Sequence, residues 1–241
     1  MNAGAPAPPL VTRGLGRSYG RLVALDELSL SVAAGECVAL VGVNGSGKST
    51  AVRLISGLLT PSRGSARICG CDPYREPDAG QARAATAVVP DEPLLYEDLS
   101  VRQHLELVAM AHGVSDDGLD ARIDEILAGL QLAERASYLP RELSRGMRQK
   151  AQIACALIRP AALLVLDEPV VGLDPPSQTH LRELLVAAKA EGIAVLMTTH
   201  QLRFADGVAD RGVVLEEGRV VDAGPWGELC ERSVARGWEL Y

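Results

Sequence analysis

Residues 42–50 read GVNGSGKST, and the reading of this stretch decides the fold. It contains G-x-x-x-x-G-K-S, in which glycines let backbone N–H groups crowd around a polyphosphate where side chains would collide. On that reading Gly42, Asn44, Gly45, Ser46, Gly47 and Thr50 belong to the cradle. Lys48 reaches the β- and γ-phosphates, and the Ser49 hydroxyl takes a place on Mg²⁺. The flanks agree. Residues 37–41 (CVALV) suit a buried parallel strand, and residues 49–59 (STAVRLISGLL) have helical spacing. The phosphates would then sit at a helix N-terminus, where free N–H groups and the helix dipole favour anions.

Working outward, residues 29–32 (SLSV) and 65–69 are short strand candidates, with Gly35 and Gly64 at turns, so the first segment reads as antiparallel. A buried-looking stretch at 84–89 leads into a loop, residues 90–99 (PDEPLLYEDL). Ser100 and Gln103 then form a capping box for a helix running to about His112, where Gly113 ends it. Leu119, Ile123, Ile126, Leu127 and Leu130 space out a second helix, and a third from about Gly146 must stop before Pro160. Residues 163–166 and 193–197 are apolar, β-rich runs separated by a helix at about 178–190. Two strands with a crossover of that length indicate a parallel sheet. Residues 213–221 (VVLEEGRVV) read as a hairpin turning at Glu217 and Gly218.

These elements make an α/β fold with three parts. They are a P-loop core with a mostly parallel sheet, an N-terminal antiparallel β subdomain, and a helical subdomain inserted at about 91–160. Residues 1–13 lack the apolar centre of a signal peptide. We take residues 1–9 as a flexible Ala/Pro tail, 10–229 as one domain and 230–241 as a C-terminal extension.

The 241 residues can bury a substantial core, and 47% hydrophobic with 23% charged residues is ordinary for a soluble globular chain. A formal charge of −7, scattered basic residues and 3% aromatics argue against a nucleic-acid partner. No window reaches the roughly 18 consecutive apolar residues of a membrane span, so the chain reads as soluble. Cys37, Cys69, Cys71, Cys155 and Cys230 form a scattered set. Cys69 and Cys71 have one residue between them, which is not zinc-finger spacing, and reduced thiols are the plain reading.

Two further stretches carry chemistry. Residues 163–168 (LLVLDE) are an apolar strand ending in Asp167 and Glu168. Adjacent acids ending a buried strand suit Mg²⁺ and an attacking water, although a strand end that reaches solvent also favours acids. Residues 143–147 (LSRGM) precede the third helix, where Ser144 serves as an N-cap. A capped helix start with a small, Gly-containing sequence is also an anion site.

Together these residues resemble the ATP-binding-cassette (ABC) ATPase family over about residues 10–229, with the motifs in the family's order. Tyr19 matches the aromatic that stacks on adenine, though alone it could be a surface aromatic. Residues 42–50 match Walker A, 143–147 the signature usually written LSGGQ, and 163–168 Walker B with its catalytic glutamate. Residues 172–174 match the D-loop, and His200 the switch histidine. His104, His112 and His180 match no motif and read as solvated helix residues. There are departures. Asp91 stands where a glutamine is expected, Arg145 replaces a signature glycine, Met147 replaces a glutamine, and Val171 stands where a serine is frequent. Arg145 either adds a cation near a partner's phosphates or points outward.

The resemblance implies an ATPase using ATP and Mg²⁺. Glu168 and His200 are catalytic, Ser49, Asp91 and Asp167 sit at the metal, and Tyr19, Ser144, Gly146 and Asp174 join the P-loop residues on the nucleotide. It also implies a head-to-tail homodimer docked on a separate transmembrane permease subunit, peripheral on the cytoplasmic side of the cell membrane. The phrases LYEDLSVRQHL and LSRGMRQK resemble export-type cassettes most. A soluble ABC ATPase that remodels a protein complex is the alternative, and a nucleotide-sensing module with little hydrolysis is a third.

Overall fold

A computed structural model describes residues 7–235. The chain opens with β1 (Leu10–Tyr19), β2 (Leu22–Leu28) and β3 (Ser31–Val32), followed by β4 (Cys37–Val41), α1 (Lys48–Ile55) and β5 (Arg63–Ile68). Then come α2 (Asp78–Ala85) and β6 (Thr86–Val89), and three helices: α3 (Val101–Ala111), α4 (Leu119–Gly129) and α5 (Arg145–Leu157). The chain returns through β7 (Leu163–Asp167), α6 (Pro175–Ala190), β8 (Ala194–Thr199) and α7 (Leu202–Ala205). It ends with β9 (Arg211–Glu216), β10 (Arg219–Pro225) and α8 (Trp226–Ala235).

The strands form two sheets. In the first, β1 pairs antiparallel with β2, β3 and β5. In the second, the order is β10-β9-β4-β8-β7-β6, parallel except for the β9–β10 hairpin. The central strands are apolar at every position because both sheet faces are covered. Cys37, Ala39, Val41, Leu164, Leu166, Val195 and Met197 pack on the side of the inserted helices, α6 and α8. Val38, Leu40, Leu163, Val165, Ala194 and Leu196 alternate with them and pack against α1 and the antiparallel sheet. Leu54 and Ile55 of α1 are fully buried there, each worth about 1.5–3 kcal/mol relative to exposure. That burial fixes α1, and with it the preceding loop, against β4.

Several sequence expectations need adjustment. Residues 10–13 belong to β1, with Leu10 buried between Val32 and Ile68. The C-terminal boundary expected at 229/230 falls inside α8. Helix α1 stops at Ile55 because Ser56 caps it and Gly57 turns away at φ 75°. Helix α6 starts earlier than expected, since Asp174 caps it and prolines occupy its first turn. The capping box at Ser100 and Gln103 is present in both directions. Residues 1–6 of the expected tail and 236–241 of the expected extension lie outside the described residues. Among the described residues no helix is long and apolar enough to cross a membrane.

Candidate nucleotide site

The loop between β4 and α1 borders a cavity of about 670 Å³. Asn44, Gly45, Gly47, Lys48, Ser49 and Thr50 line it from the loop, Asp91 and Glu168 from the far side, and Leu22, Val23 and Ala24 from β2. The turn of the β9–β10 hairpin, Glu217 and Gly218, completes the wall. This turn holds the loop in place, because Gly218 N–H donates to the Ser46 carbonyl at 2.9 Å while Asp26 N–H donates to the Gly218 carbonyl at 2.7 Å. Gly47 caps α1 in the left-handed region at φ 106°, and a Cβ there would stand 2.7 Å from the Ala24 carbonyl. Only glycine meets both demands.

Lys48 is buried and donates to the carbonyls of Gly42 at 2.7 Å and Val43 at 3.2 Å. Its Nζ lies 3.4 Å from Oε1 of Glu168, an ion pair without a well-formed hydrogen bond. The other Glu168 oxygen, Oε2, lies 2.9 Å from Nδ1 of His200 and accepts from the His200 backbone N–H at 3.3 Å. Glu168 itself has φ 48°, and its N–H donates to Oγ1 of Thr198, which in turn donates to Oδ1 of Asp167 at 2.6 Å. The strained turn thus aims Glu168 into the cavity while Thr198 fixes the acid beside it. Buried Ser46 Oγ has no hydrogen-bond partner. A cavity with one buried cation, a glycine-built rim and under-satisfied polar atoms fits a polyphosphate.

Other predicted residues lie outside this cavity. Tyr19, at the end of β1, is 47% exposed, and the Arg17 guanidinium sits 4.8 Å from its ring centroid. Ser144 caps α5 by accepting the Met147 N–H at 3.3 Å. Gly146 faces Gly172, whose carbonyl would be 2.2 Å from an added Cβ. Asp174 caps α6 through the Ser177 N–H at 2.9 Å and ion-pairs with Lys150 at 3.2 Å. The Ser177 hydroxyl first, then its N–H and Lys150, hold the Asp174 carboxyl down at about 2. Arg145 is exposed beside Glu92, Leu95, Glu97 and Arg148, on the docking-loop side of α5.

A model of the ABC transporter family matches residues 25–171. The chain belongs to the ABC transporter family. This ABC protein is 36% identical over 223 residues to the ABC-type transporter ATP-binding protein EcsA of Bacillus subtilis, covering 92% of this chain and 90% of the relative. It is 37% identical over 230 residues to Nod factor export ATP-binding protein I of Mesorhizobium japonicum, covering 95% and 67% of the two chains. A solved ATP-binding subunit of an ABC transporter superposes with a TM-score of 0.87 at 36% identity, covering 96% of this chain and 97% of that one. The protein is the ATP-binding subunit of an ABC transporter and an ATPase, and such subunits work with membrane components.

Within this ABC fold, the β2 residues Leu22, Val23 and Ala24 and the hairpin turn join the site, none of which carries a sequence motif. Their alternating apolar pattern in the first segment was the available signal. His104 corrects another expectation: it is buried, not solvated. Its Nε2 accepts the Tyr96 N–H at 2.8 Å, its Nδ1 lies 2.7 Å from the Ser100 carbonyl, and its ring stacks on Tyr96. From α5, Gln152 Oε1 accepts the Leu94 N–H at 2.9 Å. These two bonds hold the loop while Leu94 and Tyr96 stay 75% and 67% exposed.

Proposed function

We propose that two copies of this ABC subunit close head to tail around two ATP molecules and drive export through a separate transmembrane permease. The observation that carries this reading is the division of the predicted site. Lys48, Ser49, Asp91 and Glu168 line one cavity, whereas Ser144 and Gly146 do not reach it. A second subunit presenting its α5 N-terminus would supply the missing anion contacts. In that arrangement Lys48 and the loop N–H groups hold the phosphates, and Tyr19 meets the adenine from the end of β1. Asp174, at the neighbouring loop, faces the second subunit.

Ser49, Asp167 and Asp91 are the residues that would hold Mg²⁺, which when bound neutralises charge on the phosphate oxygens. Carboxylates and a hydroxyl are the hard oxygen donors this ion takes. Glu168 positions the attacking water and accepts its proton, while His200 keeps the carboxylate oriented and contacts the γ-phosphate. ATP entry transfers Lys48 from Glu168 to the phosphates, so the base is released only when substrate is present.

Leu94 and Tyr96, held outward on the 90–99 loop, form the dock for the permease on the cytoplasmic face of the membrane. Relatives that carry export in their name support the direction. The test is a pull-down of tagged Glu168→Gln protein with ATP from gently solubilised native membranes. A polytopic membrane protein recovered in about equal amount is the expected result. Recovery of a soluble partner alone would overturn the transport reading in favour of a remodelling ATPase.

A further inference from the structure

Gly146 and Lys150 stand four residues apart on α5, and so share one face of the helix. Each meets the same neighbouring loop. Gly146 packs against the Gly172 carbonyl so closely that an added Cβ would lie 2.2 Å from it. Lys150, 5% exposed, places Nζ 3.2 Å from Oδ2 of Asp174, two residues further along. Four helical residues rise about 6 Å, and two residues of chain reach at most about 7 Å. The two contacts are therefore in register. Asp174 is itself anchored, since its Oδ1 accepts from both the N–H and the hydroxyl of Ser177 at the start of α6, at 2.9 and 2.6 Å. A lysine this deeply buried is costly without a charge partner, and here the partner belongs to a different element.

We propose that Lys150 is a positioning residue for ATP hydrolysis. Together with Gly146 it clamps the Ser144–Met147 turn of α5 to the 172–174 loop, so that both meet the second subunit as one rigid edge. Neither Lys150 nor Asp174 lines the nucleotide cavity of its own subunit. The clamp therefore acts on closure and turnover and leaves the first encounter with ATP alone. This inference rests on the head-to-tail dimer proposed above.

The test compares Lys150→Met and Lys150→Arg with the wild-type chain, all well below their unfolding temperatures. Methionine keeps the stem and removes the charge, while arginine restores it. A fluorescent ATP analogue on monomeric protein should bind all three within about twofold. The kcat of Lys150→Met should fall roughly tenfold to a hundredfold, the scale of a 1 Å misplacement, and Lys150→Arg should recover most of it. Wild-type kcat in Lys150→Met, or a loss of kcat matched by an equal loss of analogue affinity, would overturn the assignment. Size-exclusion chromatography with ATP separates the two readings. If Glu168→Gln alone stays monomeric, the dimer reading fails and the clamp fails with it. If Glu168→Gln dimerises and Lys150→Met/Glu168→Gln does so at the same ATP concentration, only the role of Lys150 falls.

Discussion

The carboxylate of Glu168 lies 2.9 Å from Nδ1 of His200, on the side opposite the Lys48 ammonium at 3.4 Å. Three groups that the chain spaces 152 residues apart, from 48 to 200, thus meet around one carboxylate. The contact is made by the strained turn at Glu168, whose φ of 48° swings the side chain off the strand and toward the phosphate loop.

Glu168→Gln removes the base and also loosens its hold on Lys48. Turnover should drop by about 10²-fold or more, the usual worth of a general base, while ATP affinity rises. Single-turnover hydrolysis together with equilibrium nucleotide binding checks both. Normal turnover in this variant would remove Glu168 from its role. Lys48→Ala should lose nucleotide binding altogether.

Gly146→Ala and Gly80→Ala form a matched pair. Both glycines are helical, and alanine in a helix interior is ordinarily favoured by about 1 kcal/mol. At Gly80 the nearest atom to an added Cβ is 3.7 Å away, so the substitution should stabilise. At Gly146 the Cβ meets the Gly172 backbone carbonyl at 2.2 Å, and overpacking of about 1–3 kcal/mol should win. Urea unfolding of the two variants reads the sign directly.

Leu94→Ser/Tyr96→Ser should leave the unfolding temperature and the ATPase rate of the purified chain near wild type, since both side chains are largely exposed. Surface changes of this kind stay within about 0.5 kcal/mol. Recovery of the membrane partner should be lost. Undiminished recovery would move the dock elsewhere.

Asp174 predicts a pH dependence. Its folded carboxyl is held at about 2, below its ordinary 3.8, by the Ser177 hydroxyl first, then the Ser177 N–H and Lys150. A depressed acid contributes stability above its unfolded value and loses it as pH falls through the folded one. The stability difference between wild type and Asp174→Asn should therefore be constant above about pH 5 and shrink between about pH 4 and 2. Asparagine still caps a helix, so the difference isolates the charge. Unfolding free energies across that range provide the check, and a flat difference would deny the linkage.

Thiol reactivity should sort by burial. Cys37 and Cys155 are buried, which pushes both thiols up to about 12, whereas Cys69 is exposed. A maleimide should label Cys69 first in native protein, and Cys37 and Cys155 only on unfolding, as read by peptide mass spectrometry.

By itself the sequence determined the phosphate loop, the acid pair, the inserted helices and the β9–β10 hairpin. Each is encoded locally, by glycine spacing, apolar runs and caps whose partners lie within a few residues. Tertiary structure alone decided what closes the nucleotide cavity and what holds the loops. Leu22, Val23, Ala24 and Gly218 reach the site through sheet pairing and hairpin contacts that no local spacing records. The same holds for His104, whose helix position resembles a solvated one until Tyr96 folds over it. It holds again for Lys150, a polar residue on an amphipathic helix whose burial depends on Asp174, 24 residues away. Burial and partnership are properties of packing between elements, and packing is settled only when the whole chain has closed around its sheet.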